Sequence, residues 1–502
     1  MRTAFFALLG LAAACATASP AKPADLVTRP EAPLTGAPEK NASGPGYFPL
    51  PTALDRDPTK LPIAPLDLKV LRPEKVAFDN GLTLYLMEDH TVPLINLRAL
   101  VAAGSFDDDA AKLGTADICF DLLASGGAGD FTADALDELL EFHAADAGGS
   151  AGDEYSALSL NLRSADLAKL FPVFADMLLR PRFQKDRFEV TISRMVESVR
   201  RRPDSPDGLA YRALRKAMFG PDSMLGRETT ERTLHAITAA DVAAFHKKGV
   251  VPKATRLLIT GDFDRAAMIE QVKARFGAWK GGAAITRTYP PAPALARRVI
   301  LVPKQTAQAK IRIGGPGFRR LSPQEYAIRV TNNALGTFGV GRIYKEVRDA
   351  RGLAYAAFSS VMPGPTTGLF VAGADTKPAT AGEAVAAVLE ILGSAASTKP
   401  ITAAEISTAA DMYLNSFAFR FDTPEKIVRE KAVFDLYGYP DDYLDTYREH
   451  IAKVDPAAAL DAAKALGKVD QLQVIIVGPP DKLGDLSRFG PVTTVNDVEA
   501  FR

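Results

Sequence analysis

Two long segments of this chain carry the same order of secondary-structure patterns, and this repeat limits the folds that the chain can adopt. Each segment runs from strands through helices to further strands, and ends with several helices and a last strand. Such a repeat indicates two homologous domains, because each copy forms one structural unit with its own core. Strands and helices mixed in this way indicate the α+β class.

The first segment opens with a predicted hairpin over 75–86, because Asn80-Gly81 favours a tight turn between two strands. Its other predicted strands are 94–103, 156–162 and 255–260, and its predicted helices are 110–124, 133–143, 165–179, 183–201, 208–219, 239–247 and 265–276. In the second segment the predicted strands are 298–302, 309–313, 354–362, 369–374 and 473–477, and the predicted helices are 324–335, 342–349, 379–392, 403–419, 424–437 and 441–451. The Gly- and Pro-containing stretch 277–296 between them is a predicted linker.

Composition excludes several classes of function. The 60 basic and 60 acidic side chains cancel, which argues against nucleic acid or an acidic membrane as a bulk partner. The chain has no P-loop and no Cys/His cluster. The glycine-rich stretch 336–341 follows a helical pattern rather than a strand, so it does not indicate a dinucleotide site.

The N-terminus has the pattern of a secretion leader. Arg2 precedes the apolar run Ala4 to Ala14, which is too short for a permanent membrane-spanning helix. The residues before Cys15 resemble a bacterial lipoprotein box, which would make 1–15 the leader and Cys15 the lipidated residue. Cleavage after Ala18, at an A-x-A site, is the alternative. We favour lipidation, and both endings place the protein on the periplasmic side of the envelope, either anchored (in the outer membrane) or soluble.

Two further features of the chain concern its second cysteine and the residues after the leader. The segment 16–73 is rich in Pro and Ala and is a predicted tether. Cys119 lies on an apolar helix face without a partner, so we expect a buried thiol and no disulfide.

Several short motifs together resemble the insulinase family of zinc metallopeptidases, of the pitrilysin and mitochondrial-processing-peptidase type. The most specific is the run from Gly341 to Tyr355, which is similar to the family's S-R-L-F-x-E-V-R-E-x-R-G-L-A-Y; the others are Asn80-Gly81-Leu82, Val101 to Ser105, Asp204-Ser205-Pro206, Phe219-Gly220-Pro221 and Gly226-Arg227. The resemblance covers about residues 75–485. It implies two half-barrel domains, 74–276 and 297–487, each with a mainly antiparallel sheet covered by helices on one face, and a tail over 488–502.

The zinc motif of that family is degenerate in this chain. The positions that correspond to H-x-x-E-H hold Asp117, Phe120 and Asp121. Phe120 cannot transfer a proton, and two carboxylates without an imidazole are a poor zinc site. The family's third ligand is a Glu on a later helix, and Glu189 and Glu197 both remain candidates for that position. We expect this chain to bind no metal or other cofactor and its partner subunit to hold the zinc.

The family's second functional motif is retained. The resemblance implies that Arg348 and Tyr355, seven residues apart, bind the peptide carbonyl at which negative charge develops. A chain with this pair and without zinc ligands matches one half of a heterodimeric peptidase, whose partner carries H-x-x-E-H. Substrate peptides are then expected to pair with an edge strand near Gly148 to Gly152, or with its counterpart in the partner.

Two other functions remain open. The chain could be a non-catalytic scaffold or peptide-binding protein of the same fold, in which Arg348 and Tyr355 have structural roles. It could also be a metallopeptidase that uses Asp117 and Asp121 with an unusual metal. That option is the least favoured, because Phe120 occupies the place of the general base.

The lipoprotein reading of the leader predicts that Cys15→Ser releases the protein from the membrane. Stable attachment requires more than one acyl chain, so removing the modified residue should remove the anchor. Membrane fractionation and intact-mass analysis of the mature protein test this. A soluble Cys15→Ser product that is identical in mass to the wild-type product would support cleavage at the A-x-A site instead, because that cleavage removes residue 15 with the leader.

Overall fold

A computed structural model describes residues 71–291, 294–499 and 501. The predicted leader with Cys15, and the predicted tether up to residue 70, lie outside these residues. Within the described part of the chain, no helix combines the length and the apolar character needed to cross a membrane.

The first half contains one six-stranded sheet. Its strands are β1 (Glu74–Ala77), β2 (Thr83–Glu88), β3 (Leu94–Val101), β4 (Asp146–Ala151), β5 (Ser156–Arg163) and β6 (Thr255–Gly261), in the spatial order β1-β2-β6-β3-β5-β4. Only the β2–β6 pair is parallel. The helices are α1 (Thr115–Ser125), α2 (Ala133–Phe142), α3 (Leu167–Leu179), α4 (Lys185–Arg201), α5 (Pro206–Phe219), α6 (Glu231–His235), α7 (Ala239–Gly249) and α8 (Arg265–Phe276).

The second half repeats this arrangement in a seven-stranded sheet. Its strands are β7 (Arg298–Pro303), β8 (Ala309–Pro316), β9 (Phe318–Arg319), β10 (Ala354–Gly364), β11 (Leu369–Thr376), β12 (Gln473–Gly478) and β13 (Val492–Thr494), in the order β13-β7-β12-β8-β11-β10-β9. The helices are α9 (Glu325–Gly336), a π-helix (Tyr344–Ala350), α10 (Ala381–Ala395), α11 (Ala403–Phe417), α12 (Pro424–Leu436), α13 (Tyr443–Ala452) and α14 (Pro456–Leu466). The order β2-β6-β3-β5-β4 corresponds to β7-β12-β8-β11-β10, which confirms two homologous α+β domains.

Four elements escaped the sequence patterns. Helices α6 and α14 and the short strands β9 and β13 were not predicted, and β4 was expected only as the edge strand that the family resemblance implies, because its glycines weaken a strand pattern. The prediction that 488–502 is a tail outside the second domain is corrected, because this segment contains β13. Strand β13 pairs in parallel with β7 and therefore belongs to the second sheet. The predicted linker is irregular over the described residues 279–297, but Arg287 fastens it to the buried Asp107 at 2.6 Å.

Each sheet is covered on one face by its own helices and on the other face by one helix from the opposite half. Helix α5 packs Leu209 and Leu214 against Ile300 and Ile475 of the second sheet. Helix α12 packs Val428 and its neighbours against the first sheet in the same way. The chain therefore exchanges two helices, so neither 74–276 nor 297–487 contains all the layers of its own domain.

The two exchanged helices begin with the same sequence pattern. Asp204-Ser205-Pro206-Asp207 precedes α5 and Asp422-Thr423-Pro424-Glu425 precedes α12. In both, the hydroxyl of the Ser or Thr accepts a hydrogen bond from an amide of the first turn, and the proline occupies the first helical position, where no amide is needed.

The acid that follows each proline binds an arginine of the sheet below. Asp207 pairs with Arg312 on β8, whose side chain is buried and also binds Asp375 at 3.0 Å. Glu425 pairs with Arg98 on β3 at 3.2 Å. Because β3 and β8 are equivalent strands, these ion pairs hold the two exchanged helices in equivalent positions.

Strand β4 lies directly against α1 because a glycine permits it. A Cβ at Gly149 would collide with the carbonyl oxygen of Phe120. A side chain at this position would push the edge strand away from the helix, so Gly149 fixes how closely the two elements approach.

Candidate functional site

Helix α1 is held at its N-terminus by a buried carboxylate. Asp108 accepts hydrogen bonds from the amides of Gly114 (2.8 Å) and Ala116 (2.9 Å). Burial raises the pKa of Asp108 to about 7. Gly114 has a φ of 108°, a conformation in which a side chain would be strained.

The three degenerate zinc positions on α1 have different environments. The side chain of Phe120 is fully buried in the core of the first half. Asp121 accepts a hydrogen bond from Thr191 at 2.8 Å and pairs with Arg194 at 2.5 Å, both on α4. An arginine therefore occupies the neighbourhood in which a cation would have to bind Asp121.

Asp117 is the one carboxylate of this motif without a partner. It makes no hydrogen bond or ion pair with any other described residue, and it lines a cavity of about 190 Å³ with Arg202, Arg227 and Asp153. Burial raises its pKa to about 6, while Arg202 opposes the rise and Asp153 adds to it.

Glu189 and Glu197 are both engaged along their own helix. Glu189 is 62% exposed and lies 3.6 Å from Lys185, and Glu197 is 51% exposed and lies 2.7 Å from Arg201. The residues of α4 that contact Asp121 are Thr191 and Arg194 instead. Among the described residues, no group of three or more His, Cys, Asp or Glu side chains could hold a metal ion, so these residues do not suit zinc.

The structure brings Arg348 and Tyr355 together. Arg348 lies on the π-helix, and Tyr355 lies in β10 at a break in the register with β11, between Ala354 and Ala356. The guanidinium carbon of Arg348 is 5.7 Å from the centre of the Tyr355 ring, and the Tyr355 side chain is 76% exposed. Both π-helices and bulges are frequent at functional sites, where they redirect side chains.

Arg348 differs from the other arginines of the same motif. Arg342 binds Glu405 through both ends of its guanidinium group, and Arg351 binds Glu390 at 3.0 Å. Arg348 has no carboxylate partner among the described residues. It contacts aromatic rings only, so its hydrogen-bond donors remain available to a ligand.

Two aromatic residues of this site were missed by the sequence analysis. The ring centres of Tyr344 and Phe338 lie 4.7 Å and 6.0 Å from the guanidinium carbon of Arg348. Phe338 is 70% exposed although it is large and apolar. The available signal was its position in the glycine-rich stretch 336–341, three residues before the run from Gly341 to Tyr355.

The predicted edge strand is confirmed as an edge. Gly148 to Ala151 belong to β4, which is the last strand of the first sheet, and Gly152 follows it directly. Only one side of β4 is paired, with β5. Cys119, on the adjacent α1, is a buried free thiol as expected.

Comparisons with known proteins agree with this fold. Residues 84–230 match the family model "Insulinase (Peptidase family M16)", and residues 236–413 match "Peptidase M16 inactive domain". An uncharacterized zinc protease of Streptomyces coelicolor is 31% identical over 237 residues, which are 45% of this chain and half the length of that protein. An uncharacterized zinc protease of Mycobacterium tuberculosis is 24% identical over 302 residues, 58% of this chain and 67% of that protein.

Solved structures share the architecture at low sequence identity. A peptidase M16 inactive domain from Pseudomonas fluorescens superposes with a TM-score of 0.74 at 22% identity, over 82% of this chain and 98% of that one. A protease from Helicobacter pylori superposes with a TM-score of 0.70 at 22% identity, over 81% of this chain and all of that one.

The isolated Asp117 carboxylate predicts a pH-dependent gain in stability for Asp117→Asn. Because its pKa rises from 3.8 to about 6 on folding, the ionised group destabilises the fold above that pH, and the penalty disappears as the pH falls towards 4. We expect the variant to be more stable than the wild type by about 1–3 kcal/mol near pH 8.

Denaturant unfolding of both proteins near pH 8, 6 and 4 measures this difference. Asp121→Asn is the matched control: it removes the partner of Arg194 and should bring no gain at any pH. An Asp117→Asn protein less stable than the wild type near pH 8 would contradict the assignment of Asp117 as an unpaired carboxylate.

Proposed function

The chain belongs to the insulinase family of peptidases, and on that premise we propose that it is the zinc-less subunit of a two-subunit zinc metallopeptidase. In this proposal a homologous partner with an intact H-x-x-E-H motif supplies the zinc, the attacking water and the general base. The chain described here supplies Arg348 and Tyr355 to the same peptide bond. Peptides are cleaved between the two subunits.

The environment of Arg348 is the observation that carries the proposal. A peptide carbonyl oxygen gains negative charge when its carbon is attacked, and preplaced donors stabilise that charge. A guanidinium group without a carboxylate partner, beside an exposed phenol, offers such donors without a proton transfer. Had Arg348 been paired like Arg342 or Arg351, this role would have required breaking an ion pair.

The residues of α1 support the same division of labour. Phe120 is packed in the core and Asp121 is neutralised by Arg194, so the proposed reaction uses no metal on this chain. The free side of β4 provides backbone donors and acceptors to which an extended substrate can add as a further strand.

The cell envelope is the proposed location. The support is the leader pattern with Cys15, which would attach the mature chain to a membrane through a lipid and leave the peptidase domains in the periplasm. The Cys15→Ser experiment described above therefore tests both the proposed lipid attachment and the proposed location in the envelope.

A non-catalytic scaffold or peptide-binding protein of the same fold is the second candidate. It is favoured by the contact of Arg348 with Tyr344, since a cation over an aromatic ring stabilises a fold without any substrate. In that case β4 would still bind peptides, but Arg348 and Tyr355 would not affect their cleavage.

Substitution at the pair separates these functions. In the complex with the zinc-bearing partner, Arg348→Ala or Tyr355→Phe should lower turnover about 100- to 1,000-fold, the usual loss for one oxyanion donor. Assembly, followed by size-exclusion chromatography, should be unaffected. Steady-state hydrolysis of a fluorogenic peptide gives the rates.

Arg351→Ala is the matched control, because Arg351 lies in the same motif but is bound to Glu390. It should alter thermal stability and leave turnover of the assembled complex near the wild-type value. A double variant at Arg348 and Tyr355 that cleaves at the wild-type rate would leave the chain as a scaffold.

A further inference from the structure

A cavity of about 580 Å³ lies where the two halves of the chain meet. The end of β4, from Ser150 to Gly152, forms part of its wall, and Ala157 of β5 lies beside it. Val433 of the exchanged helix α12 and Pro363 of β10 line it from the second half. Its volume lies within the range that is typical of pockets for small ligand groups.

The charged groups of this cavity all have partners, four of them within the cavity and two outside it: Arg329 binds Glu325 at 2.8 Å, and Asp153 binds Arg215 at 3.0 Å. Glu154 and Arg320 form two contacts, of 2.6 Å and 2.7 Å, and both side chains are almost 90% buried. Arg420 pairs with Glu430 at 2.6 Å. A ligand group with a net charge would meet no unpaired counter-charge from these residues, which favours an uncharged group.

Four aromatic side chains also line the cavity: Tyr155, Phe434, Tyr437 and Tyr439. The guanidinium carbon of Arg320 lies 3.9 Å from the ring centre of Tyr437, and the Tyr437 ring meets Tyr155 edge to face at 6.0 Å. Phe434 and Tyr439 meet in the same way at 5.1 Å. Ring faces and edges of this kind bind large apolar side chains, aromatic ones above all.

Two of the lining residues are followed in the sequence by an exposed apolar residue. Leu321, next to Arg320, is 47% exposed and has a φ of 61°, a strained conformation for a residue of its size. Phe419, next to Arg420, is 72% exposed. Leu321 combines backbone strain with exposed apolar surface, and both features are more frequent at binding sites than on inert surface.

The free edge of β4 leads to this cavity. Gly152 donates to the carbonyl of Tyr155, so the backbone groups of alternate residues, including Ala151 and Gly149, face away from β5. A peptide that pairs with this edge runs along β4 and reaches the cavity at Ser150 to Gly152.

We propose that this cavity is the pocket for one large apolar side chain of the peptide strand that pairs with β4. The inference rests on the proposed function in one respect, namely that the ligand is an extended peptide. It adds where the peptide is anchored and which side chain the site selects, at a place built by both halves and distinct from Arg348 and Tyr355.

Peptide binding to the isolated chain tests the pocket without catalysis. The probes are fluorescein-labelled nine-residue peptides of Ser and Thr, one without Phe and nine with a single Phe at successive positions. Burying a Phe side chain strengthens binding by about tenfold or more. We expect this gain in fluorescence anisotropy titrations at one or two adjacent Phe positions, and not at the others.

Two filling variants make the test specific to the cavity. Ala157→Phe on β5 and Val433→Trp on α12 add volume to its lining and should abolish the preference for Phe, while Ala157→Ser, the matched control, should keep it. Thermal melting establishes that each variant is folded, and either filling variant suffices. Arg351→Ala should bind all ten peptides like the wild type, because Arg351 is bound to Glu390 and lies outside both sites.

The outcomes separate this inference from the proposed function. The pocket assignment would be overturned if no Phe-containing peptide bound more tightly than the Phe-free peptide. It would also be overturned if the preference for Phe survived both filling variants. Neither outcome depends on the turnover of Arg348→Ala. Self-association that the filling variants abolish, seen by analytical ultracentrifugation, would overturn it in favour of a second copy of the chain as occupant. A selective pocket together with unchanged turnover in Arg348→Ala would overturn only the proposed function.

Discussion

The exchange of α5 and α12 between the two halves is the constraint on which the other features depend. Each exchanged helix covers the outer face of the opposite sheet, and each is fixed there by an acid in its first turn, Asp207 to Arg312 and Glu425 to Arg98. Because α12 lies on the first sheet, Val433 reaches the end of β4, and a cavity forms between the halves. The exchange therefore joins the domains and also shapes the surface beside the free strand edge.

Helix α1 has a structural role in the first half. Phe120, which we predict to stand at the family's general-base position, is part of the core, while Gly149 keeps β4 in contact with the helix backbone. Asp121 is bound by Arg194, and Asp117 remains as an unpaired carboxylate in a small cavity. The helix thus supports the edge strand without any metal.

Sequence patterns predicted the repeat and the bounds of most long elements. The proximity of Arg348 and Tyr355 followed from one contiguous run, whose turn at Gly352 brings the helix back to the strand. The helix exchange could not be predicted, since the apolar face of α5 does not specify which sheet it covers. Strand β4 was expected from the family resemblance and not from its own pattern, because its packing against Phe120 requires glycine, the residue that weakens a strand pattern.

Zinc content and activity before and after mixing test the division of labour most directly. The full chain and a co-purifying homologue with an intact H-x-x-E-H motif would be separated, analysed for zinc by mass spectrometry, and assayed for peptide hydrolysis alone and together. The account predicts zinc in the partner only, no turnover from either subunit alone, and turnover that saturates when the two are equimolar. One tightly held zinc in this chain, together with hydrolysis by the chain alone, would contradict it.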